Sequence, residues 1–252
     1  MRLLGCQWNI VWENRDANYS RVRGLVKQGE KSDLIVLPEM FSTGFSMNVA
    51  EVAEDQPSTT ETFLKEMARD EGAAVMGGLA RSGDGEKGHN ELLGISPNGE
   101  VLTRYCKNRT FRYTGESEHY ESGTEIALCE WRDWKICPLI CYDLRFPELF
   151  RKGVAQGAEL FVVVASWPKV RVEHWLALLR ARAIENLAYV IGVNRCGRDP
   201  SYDYPGRSVV FDPWGEMIGD AGEDEGVVQA EIDHKKVREW RKGFPALLDL
   251  EI

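Results

Sequence analysis

The run Ile136-Cys137-Pro138-Leu139-Ile140-Cys141-Tyr142-Asp143-Leu144-Arg145-Phe146-Pro147-Glu148 decides the fold. A short apolar stretch leads into Cys141, polar residues then break the pattern, and Pro147 with Glu148 suit the first turn of a helix. The stretch therefore predicts a buried strand feeding a helix. Cys141 falls at the strand-to-helix turn, where a thiol is pushed out of the sheet toward backbone N–H groups that favour a thiolate or an oxyanion. A nucleophile belongs there. Cysteine is also a common small buried hydrophobe, so position alone does not separate the two readings.

Toward the N-terminus, Leu3 to Trp12 predicts a first strand, and Asp16 to Gln28, with Tyr19, Val22, Leu25 and Val26, has helical spacing. Leu34 to Pro38 is a fully apolar strand followed at once by Glu39. Ser58-Thr59-Thr60-Glu61 is a capping box that opens a helix through Phe63, Leu64, Met67 and Ala68. Ala73 to Leu79 predicts a strand in which Gly77-Gly78 permits close backbone approach. Asn90 to Ser96 and Glu100 to Cys106 flank the turn signal Pro97-Asn98-Gly99 and predict a hairpin whose second strand ends in Lys107. Phe111 to Gly123 reads as an irregular loop carrying Glu116, Glu118, His119 and Glu121, long enough to suggest a functional segment.

Toward the C-terminus, a helix is expected over Glu148 to Gln156 and a strand over Leu160 to Ala165, closed by Ser166-Trp167-Pro168. Trp175 to Asn186 predicts a long helix with Trp175, Leu178, Leu179 and Ala183 on one face and a structural Arg182–Glu185 pair. Ala188 to Asn194, Ser208 to Phe211 and Val227 to Ile232 predict strands, and His234 to Trp240 a short terminal helix. Strands and helices alternate with hairpins inserted, which is mixed α/β with more than one sheet. No linker divides the chain, so residues 1–252 are expected to form one domain.

Composition narrows the function. No segment approaches the roughly eighteen apolar residues of a membrane span, and the start of the chain lacks a basic stretch leading into a long apolar run. A soluble, cytoplasmic protein is the expectation. Six cysteines, at positions 6, 106, 129, 137, 141 and 196, lack the density of a disulfide scaffold and read as reduced thiols. No Cys-x-x-Cys occurs and His89, His119, His174 and His234 are scattered, so no metal is expected. The net charge of −9 argues against nucleic acid or anionic lipid as a partner.

Three apolar strands thus end in Glu39, Lys107 and Cys141. Singly, Glu39 reads as a strand cap and Lys107 as a solvated cation. Together, on strand ends that converge on one edge of an α/β fold, they can perform acyl transfer. A carboxylate takes the thiol proton, the thiolate attacks a carbonyl carbon, and the ammonium faces the negative charge that develops on oxygen. No histidine sits where it would pair convincingly with Cys141.

The same residues carry a resemblance. Leu37-Pro38-Glu39-Met40-Phe41, the Lys107 segment, and Ile140 through Glu148 resemble the three signature motifs of the nitrilase, or carbon-nitrogen hydrolase, superfamily. The likeness continues through Arg182-Ala183-Ile184-Glu185-Asn186 and Pro213-Trp214-Gly215-Glu216 and is strongest to bacterial omega-amidases. It implies a four-layer αββα sandwich that pairs into a homodimer, and a Glu-Lys-Cys triad working without cofactor or metal. By motif match Glu39 would be the general base and acid, Lys107 the oxyanion stabiliser and Cys141 the nucleophile. The Tyr142 N–H would be the second oxyanion donor. Glu116 matches a second glutamate that positions substrate and lysine, with Glu118 as the alternative. The chain departs from the usual Lys-x-His-Leu-Phe in having Lys107-Asn108-Arg109-Thr110-Phe111, which alters the support around the lysine.

Asp143, Arg145 and Glu148 are expected to form a charge network that fixes the turn, in preference to a substrate-binding role for Arg145. Phe41 and Trp167, just past strand ends, are candidate pocket walls. The expected reaction is hydrolysis of the terminal amide of a small oxo-dicarboxylate monoamide such as 2-oxoglutaramate, through a cysteine thioester. The reaction class follows from the residues and the substrate from the resemblance. The alternatives are another linear amide, such as a deaminated peptide or an N-carbamoyl compound, and a non-enzymatic thiol-bearing binding protein.

Overall fold

The computed structural model describes residues 1–250. The strands are β1 (Arg2–Gln7), β2 (Leu34–Val36), β3 (Ala74–Ser82), β4 (Gly88–Ile95), β5 (Val101–Cys106), β6 (Tyr120–Glu121), β7 (Cys129–Trp131), β8 (Trp134–Ile140), β9 (Leu160–Ala165), β10 (Tyr189–Asn194), β11 (Cys196–Arg198), β12 (Asp203–Pro205), β13 (Val209–Phe211), β14 (Met217–Asp220) and β15 (Gly226–Glu231). The helices are α1 (Arg15–Val26), α2 (Val49–Val52), α3 (Thr59–Glu71), α4 (Glu116–His119), α5 (Pro147–Ala155), α6 (Val172–Asn186) and α7 (His234–Gly243).

One sheet runs β15-β1-β2-β3-β4-β5, with β6 beside β4, and the other runs β14-β13-β10-β9-β8-β7. Each has three parallel strands at its centre, β1-β2-β3 and β8-β9-β10, and antiparallel pairings outside them, apart from the short β6, which runs parallel to β4. Strands apolar on both faces pack on both. In β2, Leu34 and Val36 face the second sheet while Ile35 joins the core under α1 and α3. The second sheet buries its other face under α5 and α6, through Phe150, Trp175, Leu179 and Ala183. The order of layers is helix, sheet, sheet, helix, the expected αββα sandwich. Among the described residues, no helix is long and apolar enough to cross a membrane.

Local signals account for most boundaries. Asn14 caps α1 by accepting from the Ala17 N–H, so the helix starts one residue before the expected Asp16. Ser58 accepts from the Glu61 N–H, which is half of the expected capping box. The Glu61 side chain turns instead to Arg104 and Lys65. Gly99, at φ 82°, closes the hairpin between β4 and β5. The first strand stops at Gln7, short of the expected Trp12, because the Gln7 amide turns to Gly222, Asp224 and Ser208 of the crossing chain. The segment read as irregular, 111–123, holds a 3₁₀ turn, α4 and β6. Consequently the C-terminal ends of β2, β8 and β9 meet the end of β5, where Glu39, Cys141, Ser166 and Lys107 sit.

Candidate active site

Cys141 opens a 3₁₀ turn, Cys141–Arg145, at the end of β8. Its φ of +46° is a conformation that a side-chain-bearing residue seldom adopts. The bend aims the thiol away from the sheet, and the first N–H groups of the turn lack partners within it. Asp143 holds the bend: its carboxylate accepts from Ile140 N at 3.0 Å, the Tyr105 hydroxyl at 2.8 Å and Arg109 N at 2.9 Å. One buried side chain thus ties the Cys141 turn to β5 and to the chain just past Lys107. Arg182 fixes the turn from beneath, donating to Leu144 O at 2.9 and 3.1 Å while pairing with Glu185.

Lys107 and Glu39 are both fully buried, which overturns the readings as solvated cation and exposed cap. Lys107 Nζ donates to Glu39 Oε1 at 2.8 Å and to both Glu116 oxygens at 2.9 Å. Of the two candidates for the second glutamate, Glu116 is the one that reaches Lys107, and Glu118 is exposed. Burial alone would push the Lys107 ammonium down, but Glu116 and Glu39 outweigh it and hold the ammonium above its ordinary range. Asn90, in the middle of β4, donates to Glu39 Oε1 at 2.7 Å and to Glu116 Oε1 at 2.9 Å. The other Glu39 oxygen accepts from Ser166 N at 2.8 Å, a hydrogen bond that crosses from one sheet to the other.

Cys141 is 9% exposed, opening onto a pocket. Burial raises its thiol well above the ordinary range, the Glu39 charge adds to this, and Lys107 opposes it. The physical cause is charge counting. Glu39, Glu116 and Lys107 already sum to −1, and a resting thiolate would place a second negative charge in a dry site. Burial and the Glu39 charge thus favour the thiol over the thiolate at Cys141.

The pocket is lined by Phe45, Phe111, Tyr142, Trp167, Tyr202 and Tyr204, with Arg145 and Arg171 among the polar side chains. Trp167 is a wall, as expected, held by Asn194 through Trp167 N and O. Phe41 is not. It is fully buried behind the site against Trp8, Tyr19 and Phe63, because the turn after Glu39 points it into the core under α1 and α3. Phe45 takes the wall position, its ring 5.1 Å from Lys107 Nζ.

The expected Asp143–Arg145–Glu148 network does not form. Asp143 is consumed by backbone and Tyr105 donors, Glu148 pairs with Arg109 at 3.3 Å, and Arg145 lies over Trp167 on the pocket side. Arg109 leans over Phe146, so the departure from the usual lysine motif leaves only its backbone N–H near the site. Among the described residues, no three metal-ligating side chains gather in one place.

Residues 4–242 match the family model for carbon-nitrogen hydrolases. The chain is 38% identical to the omega-amidase YafV of Yersinia enterocolitica, over all of this chain and 97% of that one. It is 32% identical to the 2-oxoglutaramate amidase of Bacillus subtilis, over 97% and 95% of the two chains. Among solved structures it is similar to a CN-hydrolase superfamily protein of Xanthomonas campestris that carries an arsenic adduct in its active site. The identity is 35%, the TM-score 0.95, and the coverage 100% of this chain and 97% of that one.

Proposed function

This chain belongs to the carbon-nitrogen hydrolase family and is a hydrolase acting on amides, and from that premise we infer a cysteine amidase that cleaves the terminal amide of a small oxo-dicarboxylate monoamide. A 2-oxoglutaramate-like compound gives the dicarboxylate and ammonia. The observation that carries the mechanism is the buried cluster of Glu39, Lys107 and Glu116 beside Cys141.

As the sulfur attacks the amide carbon, its proton passes to Glu39 and negative charge appears on the carbonyl oxygen. Before the step the site holds Glu39⁻, Glu116⁻ and Lys107⁺. After it, Glu39 is neutral and the oxyanion has taken over its charge. The total stays at −1, so no charge is created in the dry site, and the charge moves to where Lys107 and the Tyr142 N–H can donate to it. Glu39 then returns the proton to the departing ammonia and draws one from the water that hydrolyses the thioester. Glu116 keeps Lys107 charged, and Asn90 Nδ2 ties the two carboxylates together by donating to one oxygen of each.

Ammonia release from 2-oxoglutaramate, with intact-mass analysis of the enzyme quenched in turnover, tests this reading. An adduct of substrate minus ammonia is expected on the peptide containing Cys141. Finding that adduct on another residue would sink the assignment.

A further inference from the structure

Arg195 is among the largest fully buried side chains of the molecule, and the chemistry at Cys141 makes no use of it. It stands at the root of the hairpin β11–β12 and spends its donors on uncharged oxygens. Nη2 donates to Arg198 O at 3.0 Å, Asn9 Oδ1 at 3.1 Å and Ile10 O at 3.3 Å, and Nε to Cys196 O at 3.4 Å. Nη1 has no hydrogen-bond partner, and among the described residues no carboxylate forms an ion pair with this cation. A dry guanidinium without a counter-ion is costly. The contact that helps to offset it is the ring of Tyr204, whose centre lies 4.4 Å from Cζ, well within cation–π range.

Tyr204 is held at its other end as well. Its hydroxyl donates to Asp199 Oδ2 at 2.5 Å, and the second oxygen of that carboxylate accepts from Ser201 N and Tyr202 N, both at 2.7 Å. Burial and then Asp199 hold the phenol well above its ordinary range, so it stays a donor. With a cation on its face, a carboxylate at its tip and 4% of its surface exposed, the ring has nowhere to swing. It lines the same pocket as Cys141. Arg195 N donates to Ala165 O at 3.3 Å, next to the Ser166 whose N–H holds Glu39. The locked ring therefore stands beside the reactive end of the pocket.

We propose that Tyr204 is a fixed steric wall that restricts the enzyme to amides with an unbranched carbon next to the carbonyl, and that Arg195 and Asp199 are positioning residues acting through it. The proposal rests on the monoamide reading given above: in 2-oxoglutaramate that carbon is a methylene, and a methyl branch on it would claim the space of the ring. Tyr204 selects by exclusion, and the proton transfers between Cys141 and Glu39 do not pass through it.

The test compares glutaramate with its derivative methylated on the carbon next to the amide, in wild type, Tyr204→Ala, Tyr204→Phe and Arg195→Lys, with thermal melts to show that each variant is folded. Alkylation of Cys141 by iodoacetamide and by 2-iodopropanamide, read by peptide mapping, sets an unbranched and a branched carbon against the same wall without turnover. Wild type is expected to favour glutaramate at least about tenfold in kcat/KM, the discrimination a pocket achieves on one carbon. Tyr204→Ala should remove most of that preference. Tyr204→Phe, which keeps the ring and loses its tie to Asp199, and Arg195→Lys, which loses the stacked plane, should each reduce it about threefold, the worth of one such contact. Should Tyr204→Ala unfold, the ratio in Tyr204→Phe decides. Equal losses on both amides in every folded variant would show a merely structural role and overturn the wall, as would a wild type indifferent to the branch. If wild type turns over neither amide while Tyr204→Ala still raises alkylation by 2-iodopropanamide relative to iodoacetamide, the monoamide reading falls and the wall stands; an unchanged alkylation ratio in that case overturns the wall.

Discussion

In the proposed mechanism Lys107 serves structure and chemistry at once, so its removal has two separable effects. Lys107→Met leaves two buried carboxylates without their cation, an expected loss of about 3–5 kcal/mol in stability. Turnover should fall by about two orders of magnitude or more through the missing oxyanion donor. Adding Glu116→Gln should restore much of the melting temperature and none of the ammonia release; recovery of both would mean that Lys107 is only a structural counter-ion. Cys141→Ala and Cys141→Ser should abolish turnover with the fold kept. Alanine at Cys6, Cys106, Cys129, Cys137 or Cys196 should change stability alone. Burial raises all six thiols, so basicity does not single out Cys141; its neighbours Glu39 and Lys107 do. Those three were legible in the sequence because each closes an apolar strand, and a strand end is a local signal. Asn90 and Arg171 were not. Asn90 sits inside a strand pattern, and its two acceptors lie 51 and 26 residues away. Phe41 and Phe45 could not be told apart because one turn decides which ring enters the core.

At the scale of elements, β3 presses against the chain that carries Glu39. A Cβ at Gly78 would stand 2.7 Å from Glu39 Cα and 2.8 Å from Met40 N, backbone atoms that cannot step aside. Gly78→Ala should therefore cut turnover at least tenfold. Gly24→Ala, in open space on α1, should stabilise by about 0.5–1 kcal/mol and leave turnover alone. Thermal melts and ammonia release on the two variants check both. The terminal helix α7 is clasped through Glu159, which accepts from His234 at 2.6 Å and Arg238 at 3.1 Å. Burial would raise the Glu159 carboxyl, but these two donors win and its affinity for protons is lowered. A lowered carboxyl contributes stability above the ordinary carboxylate range, and loses it as the pH falls through the folded value. Protection of the α7 amides, measured relative to their intrinsic exchange rates, should fall as the pH drops through the lowered Glu159 value, and Glu159→Gln should flatten that dependence. The long strands and helices were legible because burial on one or both faces imposes a period. The missed strands β6, β7, β11, β12 and β14 are two to four residues long, and their pairing partners define them more than their own pattern does.

Over the whole molecule, the resemblance that implied the sandwich also implied a pair of them, and light scattering is expected to give twice 28.6 kDa. Ile184 on α6, with Trp214 and Met217 at the edge of the second sheet, is exposed and apolar enough to be covered in such a pair. A mass of 28.6 kDa at micromolar concentration would exclude it. The larger consequence comes from the hydrogen bond between Ser166 N and Glu39, reinforced by that between Tyr105 and Asp143. The proposed acid–base group and its ammonium belong to one sheet and the sulfur to the other, so the reacting atoms meet only while the layers keep their alignment. Each layer could stay intact, with its strands paired and its helices docked, and the enzyme would still fall silent after a slip of an ångström. Hydrostatic pressure or low urea should accordingly stop ammonia release before circular dichroism registers any loss of structure, making turnover a gauge of alignment between the sheets.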